Sequence, residues 1–376
     1  MAYKRIEEYG LIGNMHTAAL VGNDGSIDWL CLPFFDSPAV FNSLLDDEKG
    51  GRFSITAIDS VDHRQIYFPE TNVLITRFGS DDSAAQVTDF MPVHEQHEEG
   101  SGHEKGDVDD HCSGEARVVR LVQGVLGETM MRMECRPAFE FASTLHRAEK
   151  INGGVIFTSD SGERLGLTAP CEFELQNGSV TAEFALNFGE SMCFVLEQME
   201  PAGGALCSFT AAEAEAQFRQ TVDFWRDWVS KCTYHGRWRE DVIRSLLVLK
   251  LLTFAPTGAI IAAPTSSLPE VIGGERNWDY RYCWIRDAAL TIDAFMRMGY
   301  VDEARGFMRW LGSRTREAQQ NPDRPLQITY GIRGEHVLEE QILDNLAGYR
   351  DSGPVRVGNG AYHQYQLDIY GELMES

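Results

Sequence analysis

Asn277 to Asp287, NWDYRYCWIRD, is the densest run of chemically capable side chains in this sequence. It packs four aromatic rings, two arginines and two aspartates just ahead of an apolar helical pattern. Aromatic faces stack on sugar rings, and Arg and Asp make fixed, often bidentate hydrogen bonds to hydroxyls. That mixture suits a carbohydrate pocket. It also suits a half-buried helix start in which Arg286 and Asp287 only satisfy backbone groups and the helix dipole. The residues alone leave both readings open.

Carboxylates that could work as a pair are Asp279, Asp287, Glu339, Glu340, Asp344, Asp368 and Glu372. Glycoside hydrolysis needs one protonated and one ionised carboxyl, roughly 6.5–9.5 Å apart for inversion and roughly 5–5.5 Å for retention. With 57 acidic residues in the chain, position along the sequence selects no pair. Other chemistries lack their motifs. His336-Val-Leu-Glu339 has no second histidine for a zinc protease, and there is no G-x-S-x-G elbow, phosphate loop or dinucleotide fingerprint.

The elements that must position these residues change character near residue 210. Before it, short β-branched and aromatic runs alternate with Gly, Asp, Asn and Ser clusters. Examples are Thr17–Val21, Ile27–Leu32, Val73–Phe78, Val118–Val122, Gly154–Thr158, Leu165–Ala169, Val180–Leu186 and Met192–Gln198. Their regular spacing predicts an antiparallel β-sandwich over residues 1–209. The polar stretch His94–Glu115 interrupts it and reads as a surface loop whose four histidines are adventitious metal ligands at most. After 210 the period is helical. Thr210 with Glu213 forms a capping box, and Phe218, Val222, Trp225 and Val229 make one apolar face of a linker over 210–236. Further helices are expected over Trp238–Phe254, Trp284–Gly299 and Val301–Ala318, with a last one starting near Ala361. The loop Ala262–Glu270, AAPTSSLPE, reads as a rigid connection into the aromatic motif.

A net charge of −24 repels phosphate backbones, so nucleic acid and anionic membranes are disfavoured partners and a neutral ligand is favoured. No stretch has the length of a membrane span and the N-terminus carries no apolar signal run, which makes the cytoplasm the expected location. The eight cysteines are scattered without zinc-like spacing and are expected to be reduced thiols.

Four ordered segments resemble glycoside hydrolase family 15, whose members include glucoamylases, glucodextranases and trehalases. They are YGLIGNMHTAALVGNDGSIDWLCLPFFDSPAVF (9–41), LLTFAPTGAIIAAPTSSLPE (251–270), GGERNWDYRYCWIRDAALTIDAF (273–295) and YGIRGEHVLEEQILDNLAGYRDSGPVRVGNGAYHQYQLDIYGEL (330–373). The resemblance implies a β-sandwich, a helical linker and, over 237–376, the first part of an (α/α)6 toroid, about four of its twelve helices. It places Tyr280, Trp284, Arg286 and Asp287 against the non-reducing glucose of an α-glucoside or trehalose-like sugar, with Trp278, Gln366 and Asp368 as pocket-wall candidates. Family members invert, with one acid and one base and no cofactor or metal in the step. The family's acid and base motifs fall later than these segments, so no residue here takes a catalytic role; Glu339 and Glu340 sit in the region before the acid. The expectation is the N-terminal portion of an inverting hydrolase, inactive alone. Alternatives are a non-catalytic sugar-binding or interaction module and a half-enzyme completed by a separate C-terminal chain; self-association through exposed toroid faces is a further expectation.

Overall fold

The computed structural model describes residues 3–58, 62–93, 116–200, 206, 209–321 and 325–375. The histidine-bearing stretch His94–Glu115 lies outside them.

Two antiparallel eight-stranded sheets form the N-terminal part. One runs, in spatial order, Tyr9–Gly13, Ala18–Gly22, Ser26–Cys31, Arg52–Ala57, Glu128–Arg136, Ser179–Asn187 and Glu174–Gln176, with Ala39–Phe41 alongside Ser26–Cys31. The other runs His146–Ile151, Gly154–Ser159, Arg164–Thr168, Ser191–Met199, Arg117–Leu126, Ala84–Phe90, Leu74–Gly79 and Asp62–Tyr67. Alternation builds the sandwich. In Ser179–Asn187, Val180, Ala182, Phe184 and Leu186 point inward between exposed or half-buried neighbours. They meet Phe157, Leu167, Phe194 and Leu196 of the facing sheet in one core. Arg120 crosses that core fully buried, with Nε 2.7 Å from Asp89 Oδ1 and its remaining donors on the Phe53 and Gly25 carbonyls. Complete pairing is what makes such a buried charge tolerable.

The linker helix is Ala211–Ser230. Thr210 Oγ1 accepts the Glu213 amide at 3.2 Å while Glu213 Oε2 accepts the Thr210 amide at 2.8 Å, the expected capping box. Val222, Trp225 and Val229 are buried and Phe218 packs at the margin, so the apolar face read from the sequence is the face used. Helices Arg239–Leu251, Ile285–Met298, Val301–Gln320 and Asp368–Glu375 follow, an arrangement consistent with part of an α/α toroid. Trp225, Leu246, Leu251, Ile292, Phe295, Phe307 and Trp310 share a second core with Met15, Ala18 and Phe35 from the sandwich side. Burying each such side chain stabilises by about 1.5–3 kcal/mol. The two parts are therefore joined by apolar packing as well as by the linker. The described cysteines, Cys31, Cys135, Cys171, Cys193, Cys232 and Cys283, are free thiols.

Two local expectations change. The loop Ala262–Glu270 contains a strand, Ser266–Pro269, that pairs antiparallel with Asn277–Asp279. The last helix starts at Asp368 and not near Ala361, where a short 3-10 turn, Gly360–His363, stands. Asn359 caps that turn through Oδ1, and Gln364 is extended at φ −83° and ψ 150°. Gln327 Nε2 donates to the Tyr362 carbonyl at 2.9 Å, the acceptor an α-helix would have offered to the amide four residues on. That carbonyl is thus engaged by a tertiary bond, and the helix starts seven residues after Ala361.

Candidate functional site

The aromatic motif reaches its position through short strands at both ends. Asn277–Asp279 pairs with Ser266–Pro269, Cys283–Trp284 pairs with Thr329–Tyr330, and the Ile285 amide donates to Ile328 O at 3.0 Å. The helix starts immediately after Trp284, whose backbone is extended at φ −88° and ψ 127°. It buries Ile285, Ala288, Ala289, Thr291, Ile292 and Phe295, the 3.6-residue stripe, and stops at Gly299, which supplies the left-handed φ of 97°. Arg286 and Asp287 fall outside the fully buried stripe, with side chains each 42% exposed.

The motif's two Arg–Asp pairs have opposite fates. Asp279 and Arg281 turn inward and are buried. Arg281 Nε and Nη2 donate to the Asp279 carboxylate at 2.9 and 2.7 Å, while Nη1 donates to Ser37 O at 2.7 Å and Phe35 O at 3.3 Å. Asp279 also accepts the Gly358 amide at 3.2 Å, and its own carbonyl accepts Asn359 Nδ2 at 2.9 Å. Burial opposes the charge on Arg281, but Asp279 more than compensates and holds the guanidinium above its ordinary pKa. This pair is a clasp. It ties the site to the sandwich residues Phe35 and Ser37 and to the turn after Val357.

Arg286 gathers the second group. Its Nη1 lies 3.3 Å from Asp368 Oδ2 and 3.5 Å from Gln366 Oε1, and its Nη2 lies 3.2 Å from Asp287 Oδ2. The guanidinium stands 5.6 Å from the Trp284 ring, which lies 6.1 Å from the Tyr280 ring. Burial, then the charges of Glu270 and Asp287, push the Tyr280 phenol up from its ordinary pKa, so it remains a hydrogen-bond donor. One buried polar atom here has no partner among the described residues. Trp284 Nε1 is a buried donor without an acceptor, while Asp287 Oδ2 has the Arg286 ion pair at 3.2 Å but no aligned hydrogen bond. A buried polar group left unpaired costs about 1–3 kcal/mol. An orphan indole donor and, three residues on, a carboxylate oxygen with room for a further donor are what a hydroxyl-bearing ligand would satisfy.

Six of the seven expected substrate-facing residues thus come together: Tyr280, Trp284, Arg286, Asp287, Gln366 and Asp368. Trp278 is placed elsewhere, with the Arg356 guanidinium 4.6 Å from its ring centroid. The other carboxylates are also engaged or remote. Glu340 is ion-paired to Arg356 at 3.1 Å and accepts the Gly360 amide, Glu339 and Asp344 are exposed, and Asp279 is held in the clasp.

The family profile Glycosyl hydrolases family 15 matches residues 236–376, and the profile Trehalase-like, N-terminal matches residues 2–183. The chain is 37% identical over 388 residues to the trehalase of Thermoplasma volcanium, across 100% of this chain and 57% of that protein. It is 36% identical to the trehalase of Thermoplasma acidophilum, across 95% of this chain and 58% of that protein. It is 34% identical to the trehalase of Mycolicibacterium smegmatis, across 99% of this chain and 56% of that protein. The chain spans a little more than half the length of these curated relatives. It belongs to glycosyl hydrolases family 15, as a trehalase-like N-terminal domain continuous with part of the family's hydrolase domain.

Proposed function

We propose that Trp284, Arg286 and Asp287, with Tyr280, Gln366 and Asp368, hold the terminal glucose ring of an α-linked glucoside of the trehalose or maltose type. The carrying observation is the buried, unpartnered Trp284 Nε1 beside the half-exposed Arg286 guanidinium, which Asp287 and Asp368 hold from two sides. A ring hydroxyl would supply the acceptor missing from Trp284 Nε1, others would donate to the Asp287 carboxylate, and the Trp284 and Tyr280 rings would supply the apolar walls. The trehalase names of the relatives favour trehalose within this class.

The same geometry bears on cleavage. Inverting hydrolysis needs a proton donor at the glycosidic oxygen and a separate base for water. Asp287 and Asp368 both face Arg286 and act as acceptors for it. We assign neither to the donor role, and on this reading the acid and base come from the part of the family domain that this sequence does not span. The chain grips without cutting. Calorimetric titration with trehalose and with maltose tests the grip: saturable binding is expected, weakened about tenfold or more by Asp287→Ala and by Trp284→Phe, which keeps a ring and removes Nε1. Binding that is indifferent to both substitutions sinks the assignment. Glucose release from trehalose by the pure protein, abolished by Asp287→Ala, would overturn the claim that it does not cleave.

A further inference from the structure

We infer that Asn359 is a positioning residue for the sugar site. It fixes the stretch carrying Gln366 and Asp368 to the Asp279–Arg281 clasp, and so sets where those two side chains meet Arg286. The inference rests on the reading of Arg286 and Asp287 given above.

Two arms leave the clasp and meet again at the site. One is the aromatic motif itself, which runs from Asp279 to Arg286 and Asp287. The other starts at Gly358, whose amide donates to Asp279 Oδ2 at 3.2 Å, and ends at Asp368, where the last helix begins. The arms close on each other at Arg286, with Nη1 3.3 Å from Asp368 Oδ2 and 3.5 Å from Gln366 Oε1. A separation held at the base therefore bears on the separation at the tips.

Asn359 is the joint at the base. It is 4% exposed, and its Nδ2 donates to the Asp279 carbonyl at 2.9 Å while its Oδ1 accepts the Ala361 amide at 3.0 Å. One bond reaches the first arm, and the other caps the 3-10 turn Gly360–His363 on the second. Its backbone is fixed as well: the amide donates to Leu338 O at 2.9 Å, and the carbonyl accepts the Tyr362 amide at 3.3 Å. The joint needs a donor and an acceptor on one short, planar group, which a primary amide supplies and an ionised carboxylate does not. An aspartate would keep the cap and turn an oxygen towards the Asp279 carbonyl.

Beyond the turn the second arm is exposed at Gln364, Tyr365 and Leu367. Its next buried side chain is Ile369, in the core shared with Ile285 and Ala288 of the site helix. Gln366 thus stands between two anchorages, the turn that Asn359 caps and the packed Ile369. Gln327 also holds this turn, with Nε2 2.9 Å from the Tyr362 carbonyl, so changing Asn359 loosens the join to the clasp without releasing the turn.

Contiguous contacts become coupling only when a double-mutant cycle measures it. The 376-residue chain and its variants are titrated with trehalose and with maltose by calorimetry, and urea midpoints are taken on the same proteins. Asn359→Asp should weaken sugar binding by on the order of tenfold. In the Gln366→Ala background the same substitution should cost about threefold or less, because part of what Asn359 places is gone. A purely structural asparagine would shift the urea midpoint and leave no such difference between backgrounds. Asn359→Ser, which can still cap the turn, serves where the aspartate does not fold and should behave alike. Unchanged affinity in both Asn359 variants, or an equal loss with and without Gln366, overturns the positioning role while leaving the sugar site in place. A wild-type chain that binds neither sugar overturns the reading of Arg286 and Asp287, and this inference with it.

Discussion

Replacing Asp279 with Ala separates the two halves of the aromatic motif, because the same residue type serves different ends at 279 and 287. Asp279 is 0% exposed and Arg281 1% exposed. The substitution removes the acceptor of two charge-assisted bonds, at 2.9 and 2.7 Å, and of the Arg281 and Gly358 amides at 3.1 and 3.2 Å. Arg281 would remain buried with only the Phe35 and Ser37 carbonyls as strong acceptors. Removing one partner of a buried ion pair costs about 3–5 kcal/mol, a large share of the roughly 5–15 kcal/mol that holds a native domain. Urea unfolding, followed by tryptophan fluorescence, should show a midpoint displaced accordingly, with the slope retained. Arg281→Met in the Asp279→Ala background should recover part of the loss, since it removes the stranded charge and keeps much of the volume; that coupling is the signature of a clasp. Asp287→Ala, at a half-exposed position, should shift the midpoint by less than about 1 kcal/mol while weakening sugar binding. An Asp279→Ala protein with unchanged stability and selectively lost sugar binding would refute the division, and would move Asp279 into the sugar site.

Three further outcomes follow from the geometry. Thr210→Ala opens the capping box of the linker helix and should cost about 0.5–2 kcal/mol in urea unfolding, with Thr210→Ser nearly neutral. Burial opposes ionisation of Glu303, but Lys250 at 3.0 Å and the Trp228 indole at 2.6 Å outweigh it and hold the carboxyl below its usual range. Its contribution is therefore complete above the unfolded value of about 4.3 and fades as pH falls through the lower folded value. Glu303→Gln should be less stable at neutral pH and should lose less stability between pH 5 and 3, in urea midpoints taken across that interval. Burial pushes the Cys31 thiol up to about 11 and the Cys283 thiol up to about 12, so both should resist alkylation in native protein and react at once in denaturant, as read by peptide mass spectrometry.

Legibility in the sequence followed how local the determining contacts are. Ser179–Asn187 alternates strictly between inward and outward residues, and its run was readable as a strand. Asp62–Tyr67, DHRQIY, is an edge strand with no fully buried residue, so no apolar alternation marks it. The linker helix was legible down to its cap because Thr210 and Glu213 are three residues apart. The break before Asp368 was not, since it depends on Gln327, which reaches Tyr362 from 35 positions away. Within the aromatic motif, Asp279–Arg281 and Arg286–Asp287 look alike in type. Which pair is a buried clasp and which stays half-exposed depends on carbonyls of Phe35 and Ser37, some 246 and 244 positions from Arg281. The family resemblance singled out Gln366 and Asp368, which stand beside Arg286, where periodicity could not. It also suggested Trp278, whose stacking under Arg356 is a side-chain choice that similarity of sequence does not transmit.

These long connections make the sandwich part of what positions the aromatic motif. Strand Ser26–Cys31 is buried along its whole length because each of its faces has a partner. Ile27 and Leu30 enter the sandwich core, while Trp29 and Cys31 pack against Phe141, Leu346, Tyr349 and Val355 under the 343–357 segment. Trp29 Nε1 donates to Pro264 O at 2.8 Å, at the entrance to the strand that pairs with the aromatic motif. Arg281 returns the connection to Phe35 and Ser37. A binding residue must be held to within a fraction of an ångström to be useful, and short strands of two to four residues cannot do that alone. The rigidity comes from the β-sandwich, through one indole and one guanidinium. The inner face of segment 9–41 is thus the floor that carries the aromatic motif.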